Sequence, residues 1–234
     1  MAKLLELKNI NKIYGEKIKT QVLFDINLDF EESTFNSIIG ESGSGKSTLM
    51  NIIGTLDKQT SGEVLINNQS TSEMNKNQLA ELRNKTIGFI FQFHYLLPEF
   101  TVMENVLMPY RILNGKVTKE AEKRANDLLE IVGLSRVKNN KATDISGGQQ
   151  QRAAIARSLI NNPKIILGDE PTGNLDSETT QTVYNLLREI NKEFKSTFII
   201  ITHDKKIAEK ADRIIEIKDG KINLDIINPL MIKA

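Results

Sequence analysis

The sequence predicts an α/β fold with a helical insertion, and three observations carry that expectation. Short apolar runs alternate with helical spacing in the first and last parts of the chain. A glycine-rich loop, residues 40–48, stands between a strand pattern and a helix pattern. No strand pattern lies between Phe91 and Lys164.

In order along the chain, Leu5, Leu7 and Asn9 alternate with Leu4, Glu6 and Lys8, and residues 22–30 behave the same way, which predicts two half-buried strands. Phe35 to Ile39 is a third strand, leading into the glycine loop, and Ser47 to Leu56 has helical spacing. Glu63 to Ile66 and Ile87 to Phe91 read as short strands. In residues 117–132, Ala121, Ala125, Leu128, Leu129 and Val132 share one helical face, and Gly133 ends it. A further helix is predicted over residues 149–160, stopped before Asn162-Pro163. The apolar runs Ile165 to Leu167 and Phe198 to Ile201 suit strands covered on both faces. Between them, Val183, Leu186, Leu187 and Ile190 form the buried side of a helix over residues 177–194. Residues 214–221 form a hairpin around Asp219-Gly220, a dipeptide suited to a type I′ turn.

Composition narrows the function classes. A chain of 234 residues with 39% hydrophobic content buries a full core as one large domain or two small ones. The 31 basic and 30 acidic residues leave a net charge of +1, without the footprint of a nucleic-acid binder. Cysteine is absent, so disulfides and thiolate metal sites are excluded. The acidic charge at Glu6 comes too early for a secretory signal. No run approaches the roughly 18 apolar residues of a spanning helix, so a soluble chain is expected, with any membrane role exercised through a partner.

The chemistry lies in six places. The loop Gly40-Glu41-Ser42-Gly43-Ser44-Gly45-Lys46-Ser47-Thr48 fits the phosphate-binding pattern: its glycines let backbone amides approach phosphate, Lys46 supplies a point charge, and the Ser47 hydroxyl suits Mg²⁺. Asp169 and Glu170 end a buried strand, where a carboxylate needs a partner. Mg²⁺ is that partner for Asp169, leaving Glu170 to orient and deprotonate water. His203 comes after the strand ending near Thr202, at the edge where ligands of open α/β sheets collect, and suits a γ-phosphate contact. Gln92 also closes a strand, within an amide's reach of Mg²⁺ or water. Ser146-Gly147-Gly148-Gln149 opens a helix, and spacing leaves an anion site and a simple N-cap both open. Tyr14 is left equally open between a purine-stacking ring and an ordinary strand aromatic.

Together these residues resemble the ATP-binding subunit of ABC transporters, over essentially the whole chain. In that family residues 40–48 match the Walker A loop, Gln92 the Q-loop, Ser146 to Gln149 the signature, residues 165–170 Walker B, Asn174-Leu175-Asp176 the D-loop, His203 the H-loop, and Tyr14 the aromatic that stacks on adenine. The resemblance implies a P-loop NTPase core with an N-terminal antiparallel β subdomain (together residues 1–95 and 162–225), a helical subdomain at about 96–161 and a tail at 226–234. It implies ATP hydrolysis with Mg²⁺ held by Ser47, Gln92 and Asp169. It further implies a head-to-tail homodimer in which Ser146, Gly147, Gly148, Gln149 and Asp176 reach the nucleotide of the second subunit.

Two departures from the family pattern are Ile145 in place of leucine, a change that conserves volume, and Gly168 in place of alanine, expected to loosen the strand end slightly. Residues 92–101, 104–106 and 169–176 are most similar to the macrolide-exporter and lipoprotein-releasing (MacB and LolD) group. That likeness implies a peripheral subunit at the cytoplasmic face of the inner membrane. Its permease would dock near residues 92–105 on Phe93, Tyr95, Leu96 and Phe100, and its cargo would be a lipoprotein, peptide or hydrophobic drug. The rival readings are a soluble ABC-type ATPase acting on nucleic acid or ribosomes, and a P-loop kinase. The balanced charge and the single nucleotide-binding unit weigh against the first. The signature turn has no place in the second.

Overall fold

The computed structural model describes residues 3–228. Its strands are β1 (Lys3–Tyr14), β2 (Thr20–Glu31), β3 (Phe35–Ile39), β4 (Ser61–Ile66), β5 (Gln69–Ser70), β6 (Ile87–Phe91), β7 (Ile165–Asp169), β8 (Thr197–Ile201), β9 (Arg213–Lys218) and β10 (Lys221–Ile227). The helices are α1 (Lys46–Ile53), α2 (Lys76–Thr86), α3 (Val102–Asn114), α4 (Lys119–Ile131), α5 (Gly147–Leu159), α6 (Ser177–Phe194) and α7 (Lys205–Ala208). A four-stranded antiparallel sheet has the order β2-β1-β4-β5, and a six-stranded sheet the order β10-β9-β3-β8-β7-β6. In the larger sheet only β10 runs antiparallel to its neighbour.

The continuous apolar strands bury both faces, and alternation along them divides the core in two. Ile38, Ile165, Leu167, Ile199, Ile201, Ile215 and Ile217 face α1 and the antiparallel sheet. Phe35, Ile166, Phe198 and Ile200 face the opposite way, onto the apolar sides of α3, α4, α5 and α6. Gly168 makes room in this layer: a methyl group there would stand 2.6 Å from Ile200 Cδ1. The glycine therefore accommodates a neighbouring isoleucine, where the sequence suggests only a looser strand end.

Parallel register aligns the C-terminal ends of the central strands, pairing Ile38 with Ile201, Asp169 with Ile201, and Phe91 with Asp169. The glycine loop, the two acids, His203 and Gln92 each lie at one of these ends, so the topology delivers all four segments to one edge.

Several elements differ from the sequence expectation. α2 and α3 have no counterpart in it. α2 buries only Thr86, so it carries no apolar stripe, and α3 contains Pro109, which reads as a helix breaker. Each nevertheless opens with a capping box, Asn75 with Gln78 and Thr101 with Glu104. α1 stops at Ile53, and Gly54 turns the chain; a Cβ there would meet the Phe89 ring at 2.7 Å. β10 runs to Ile227, into the expected tail, whose residues 229–234 lie outside the described ones.

Candidate functional site

From β3 the chain passes through Gly40, Gly43 and Gly45, with φ of 149°, 79° and 105°, into α1. These positive values favour glycine, and at Gly40 space demands it as well: a Cβ would lie 2.2 Å from the Ile217 carbonyl oxygen. Gly45 caps α1 with no side-chain hydrogen bond, so no side chain covers the first amides of the helix, which suit an anion. Lys46 Nζ donates to the Gly40 and Glu41 carbonyls at 2.9 and 2.7 Å, lying back over the loop that precedes it. The Ser44 hydroxyl is buried without a partner.

A cleft of about 520 Å³ opens over this loop. Val22, Ile201 and the loop residues Gly40, Ser42, Gly43, Gly45, Lys46, Ser47 and Thr48 line it, joined by Asp169, Glu170 and His203. The Asp169 carboxyl is pushed above its ordinary range by burial and then by the Glu170 charge, with Lys46 and a Ser47 hydrogen bond opposing. Burial thus leaves a carboxylate calling for positive charge beside a serine hydroxyl. Among the described residues no three His, Cys, Asp or Glu side chains form a metal cage. Two hard oxygen donors without a cage fit a Mg²⁺ ion that takes its remaining ligands from phosphate and water.

Glu170 adopts φ 47°, a left-handed conformation costly for a side-chain-bearing residue. Its N–H donates to the Ile201 carbonyl at 3.0 Å, and its own carbonyl accepts from Gly173 N–H at 2.9 Å. The conformation turns the side chain toward β8, where Glu170 Oε2 lies 2.8 Å from His203 Nδ1. A carboxylate and an imidazole thus stand in contact within the lining of the cleft.

Other expected site residues are not part of this cleft's lining, although Tyr14 lies beside it, within a hydrogen bond of Thr48. Gln92 does not line it: Gln92 Nε2 donates to Asn174 Oδ1 at 3.1 Å, and Asn174 Nδ2 returns a bond to the Gln92 carbonyl. Glu41 and Ser44 are also absent from the lining. The Tyr14 hydroxyl donates to Asp57 Oδ2 at 2.6 Å, and Lys12 Nζ sits 4.5 Å from the ring centroid. Burial and then Asp57 raise the Tyr14 pKa. Spacing gives no sign of this clamp.

Ser146 and Gln149 form a reciprocal capping box on α5, so within one chain the serine hydroxyl serves as a cap. Gly147 has open space around it, and Gly148 faces Thr179. Asp176 caps α6 and accepts from the Thr179 hydroxyl at 2.6 Å, which lowers its pKa. None of these residues lines the cleft. One chain therefore holds a phosphate loop with its acids, and a separate, exposed glycine turn.

Of the expected docking residues, Phe93 and Tyr95 are exposed at 64% and 63%, while Leu96 packs against the core and Phe100 is half-buried; Leu97 is exposed in their place. His94 and Tyr95 both take positive φ, and Arg157 on α5 holds their carbonyls at 2.6 Å each. Burial pushes the Arg157 pKa down.

The family model for the ABC transporter matches residues 23–173. The lipoprotein-releasing system ATP-binding protein LolD 1 of Rhodopseudomonas palustris is 49% identical over 224 residues, covering 95% of this chain and 99% of that protein. The LolD protein of Francisella tularensis is 43% identical over 223 residues, covering 95% and 96%. Among solved structures, the ATP-binding cassette MJ0796, as a dimer in a post-hydrolysis state bound to ADP and Pi, superposes with a TM-score of 0.87. It is 43% identical, and the match covers 96% of this chain and 98% of that one. The cassette cbiO1 of Clostridium perfringens, part of the ABC transporter complex cbiONQ, gives the same TM-score at 30% identity, covering 100% of this chain and 91% of that one.

Proposed function

This chain belongs to the ABC transporter family of ATP-binding proteins, and from that premise we propose how its residues divide the work of hydrolysis. ATP lies along the cleft over residues 40–48, its phosphates on the loop amides and the start of α1. Lys46 leaves the Gly40 and Glu41 carbonyls for the β- and γ-phosphates. Ser47 and Asp169 hold Mg²⁺, which when bound neutralises the charge developing on the phosphates. Gln92 joins the site once Asn174 releases its amide. Glu170 accepts a proton from the water that attacks the γ-phosphorus, as the bond to the β-phosphate oxygen breaks and ADP and phosphate form. His203 Nδ1 steadies the Glu170 carboxylate.

Two copies of the chain close head to tail, and Ser146 to Gln149 and Asp176 of each complete the nucleotide site of the other. The exposed glycine turn, with open space at Gly147, supports this reading. Charge shared across the interface before hydrolysis, and lost after it, gives ATP different affinities for the closed and open states. Among the described residues no helix is long and apolar enough to cross a membrane. The chain works instead at the cytoplasmic face of the inner membrane on a permease, and its likeness to LolD proteins favours lipoprotein release as the task driven.

The permease segment docks in a groove of about 470 Å³ whose walls include Leu56, Phe89, Phe91, Tyr95, Ile112 and Arg157. Among the described residues Arg157 donates to the His94 and Tyr95 carbonyls and has no carboxylate partner, so a carboxylate on the incoming segment gains a charged partner.

The observation that carries the hydrolytic assignment is the 2.8 Å contact between Glu170 and His203 beside the phosphate loop. Glu170→Gln tests it in single-turnover hydrolysis. Loss of about 10²–10⁴ in rate, with ATP affinity retained, is expected for a general base. Wild-type turnover in this variant would remove Glu170 from its role.

A further inference from the structure

Gln151 is fully buried, at 0% exposure, on the second turn of α5. Its Nε2 donates to the Pro171 carbonyl at 2.5 Å, and its Oε1 has no partner. A residue kept for packing alone would be better served by methionine, which fills similar volume and leaves no buried acceptor unpaired. The amide therefore serves the one bond it makes. Pro171 is the residue after Glu170, whose left-handed φ must be held by its surroundings. Ile201 on β8 fixes the Glu170 amide from one side, and Gln151 fixes the next carbonyl from the other. Pro171 has no N–H of its own with which to anchor this turn.

Gln151 also stands on the helix that Ser146 caps, five residues further along one rigid rod. A displacement of the signature turn therefore carries the Gln151 amide with it, and with the amide the carbonyl beside Glu170. We propose that Gln151 is a positioning residue that links the seating of α5 to the hydrolytic placement of Glu170 in the same chain. In the closed dimer, the nucleotide bound by the partner touches the signature turn, so the contact tells each chain's Glu170 that the other site is filled. This inference rests on the head-to-tail reading above.

The test is a double-mutant cycle with Gln151→Met in the full chain, alone and combined with Glu170→Gln. The expected result is a fall in kcat of at least tenfold for Gln151→Met, with half-saturating ATP within twofold of wild type. In the Glu170→Gln background the same change should alter residual single-turnover hydrolysis by less than twofold, because there is no base left to misplace. A merely structural role gives a different pattern: lower thermal stability, weaker ATP binding and an equal loss in both backgrounds. That pattern would overturn the proposal. Size-exclusion chromatography of Glu170→Gln with ATP separates the two levels of failure. Absence of a dimer overturns the head-to-tail reading and the inference with it. A dimer together with equal losses overturns the inference alone.

Discussion

Replacing Gly40 with alanine distinguishes a loop that is shaped for phosphate from one that merely happens to be glycine-rich. Two costs are visible in the structure. The residue sits at φ 149°, where a side chain is strained by about 1–3 kcal/mol. Its new Cβ would also stand 2.2 Å from the Ile217 carbonyl oxygen, a backbone atom that cannot swing aside, which adds about 1–3 kcal/mol of overpacking. The sum is at least about 2 kcal/mol, and it has only two outlets. If the loop stays in place, the folded state loses that stability. If the loop shifts, nucleotide affinity falls, by about thirtyfold for 2 kcal/mol. Denaturant unfolding and titration with a fluorescent ATP analogue, read together, should recover the total. Gly43→Ala is the control, because it shares a positive φ of 79° but meets nothing within 4 Å. It should show the conformational strain alone. If Gly40→Ala matches Gly43→Ala in both stability and affinity, the close packing of the loop on β9 plays no part and the reasoning fails.

Other outcomes rest on the same geometry. Because burial holds the Asp169 carboxyl above its ordinary value, the folded chain binds more protons there than the unfolded chain, and stability falls as pH rises above about 4. Asp169→Asn should therefore raise the melting temperature at neutral pH and flatten its pH dependence while abolishing hydrolysis; a lower melting temperature contradicts the argument. Asp212 accepts from the Phe35 amide at 2.7 Å and pairs with Arg188 at 2.9 Å, so Asp212→Ala should cost about 2–3 kcal/mol in urea unfolding with ATP affinity preserved. Tyr95→Ser combined with Phe93→Ser should abolish co-purification of the permease and leave ATPase activity of the isolated chain unchanged. Retained co-purification would reassign the docking surface.

Much of this architecture is legible in the residues. Strand–loop–helix at 35–53 and the apolar strands at 165–169 and 197–201 are local patterns, and parallel pairing brings the segments at their C-terminal ends to one edge. The hairpin at Asp219-Gly220 shows the left-handed values, 48° and 73°, that its dipeptide favours. α2 is hidden because it carries no apolar stripe, and α3 because Pro109 reads as a breaker within its apolar pattern; their capping boxes at Asn75 and Thr101 are the readable sign. The interlocks of the site are not legible at all. Gln92 with Asn174, Tyr14 with Asp57, and Gln151 with Pro171 join residues 82, 43 and 20 positions apart, and no spacing rule connects them. Nor does any pattern reveal the left-handed Glu170, whose conformation is imposed by β8.

If each chain holds half of two different sites, mixing two crippled chains restores one whole site. Lys46→Ala disables the phosphate loop. Gly147→Asp places a carboxylate in open space at the start of α5, where the helix tolerates it, and repels only a phosphate brought by another molecule. Each variant alone should hydrolyse no ATP. Mixed, they form one dimer site with an intact loop facing an intact turn, and activity should return clearly above that of either variant alone, though only to a small fraction of wild type, because the second site offers no nucleotide to seat the α5 of the chain whose Glu170 is at work. If the mixture stays as inactive as its components, or if Gly147→Asp alone retains full activity, the two halves do not meet across a dimer.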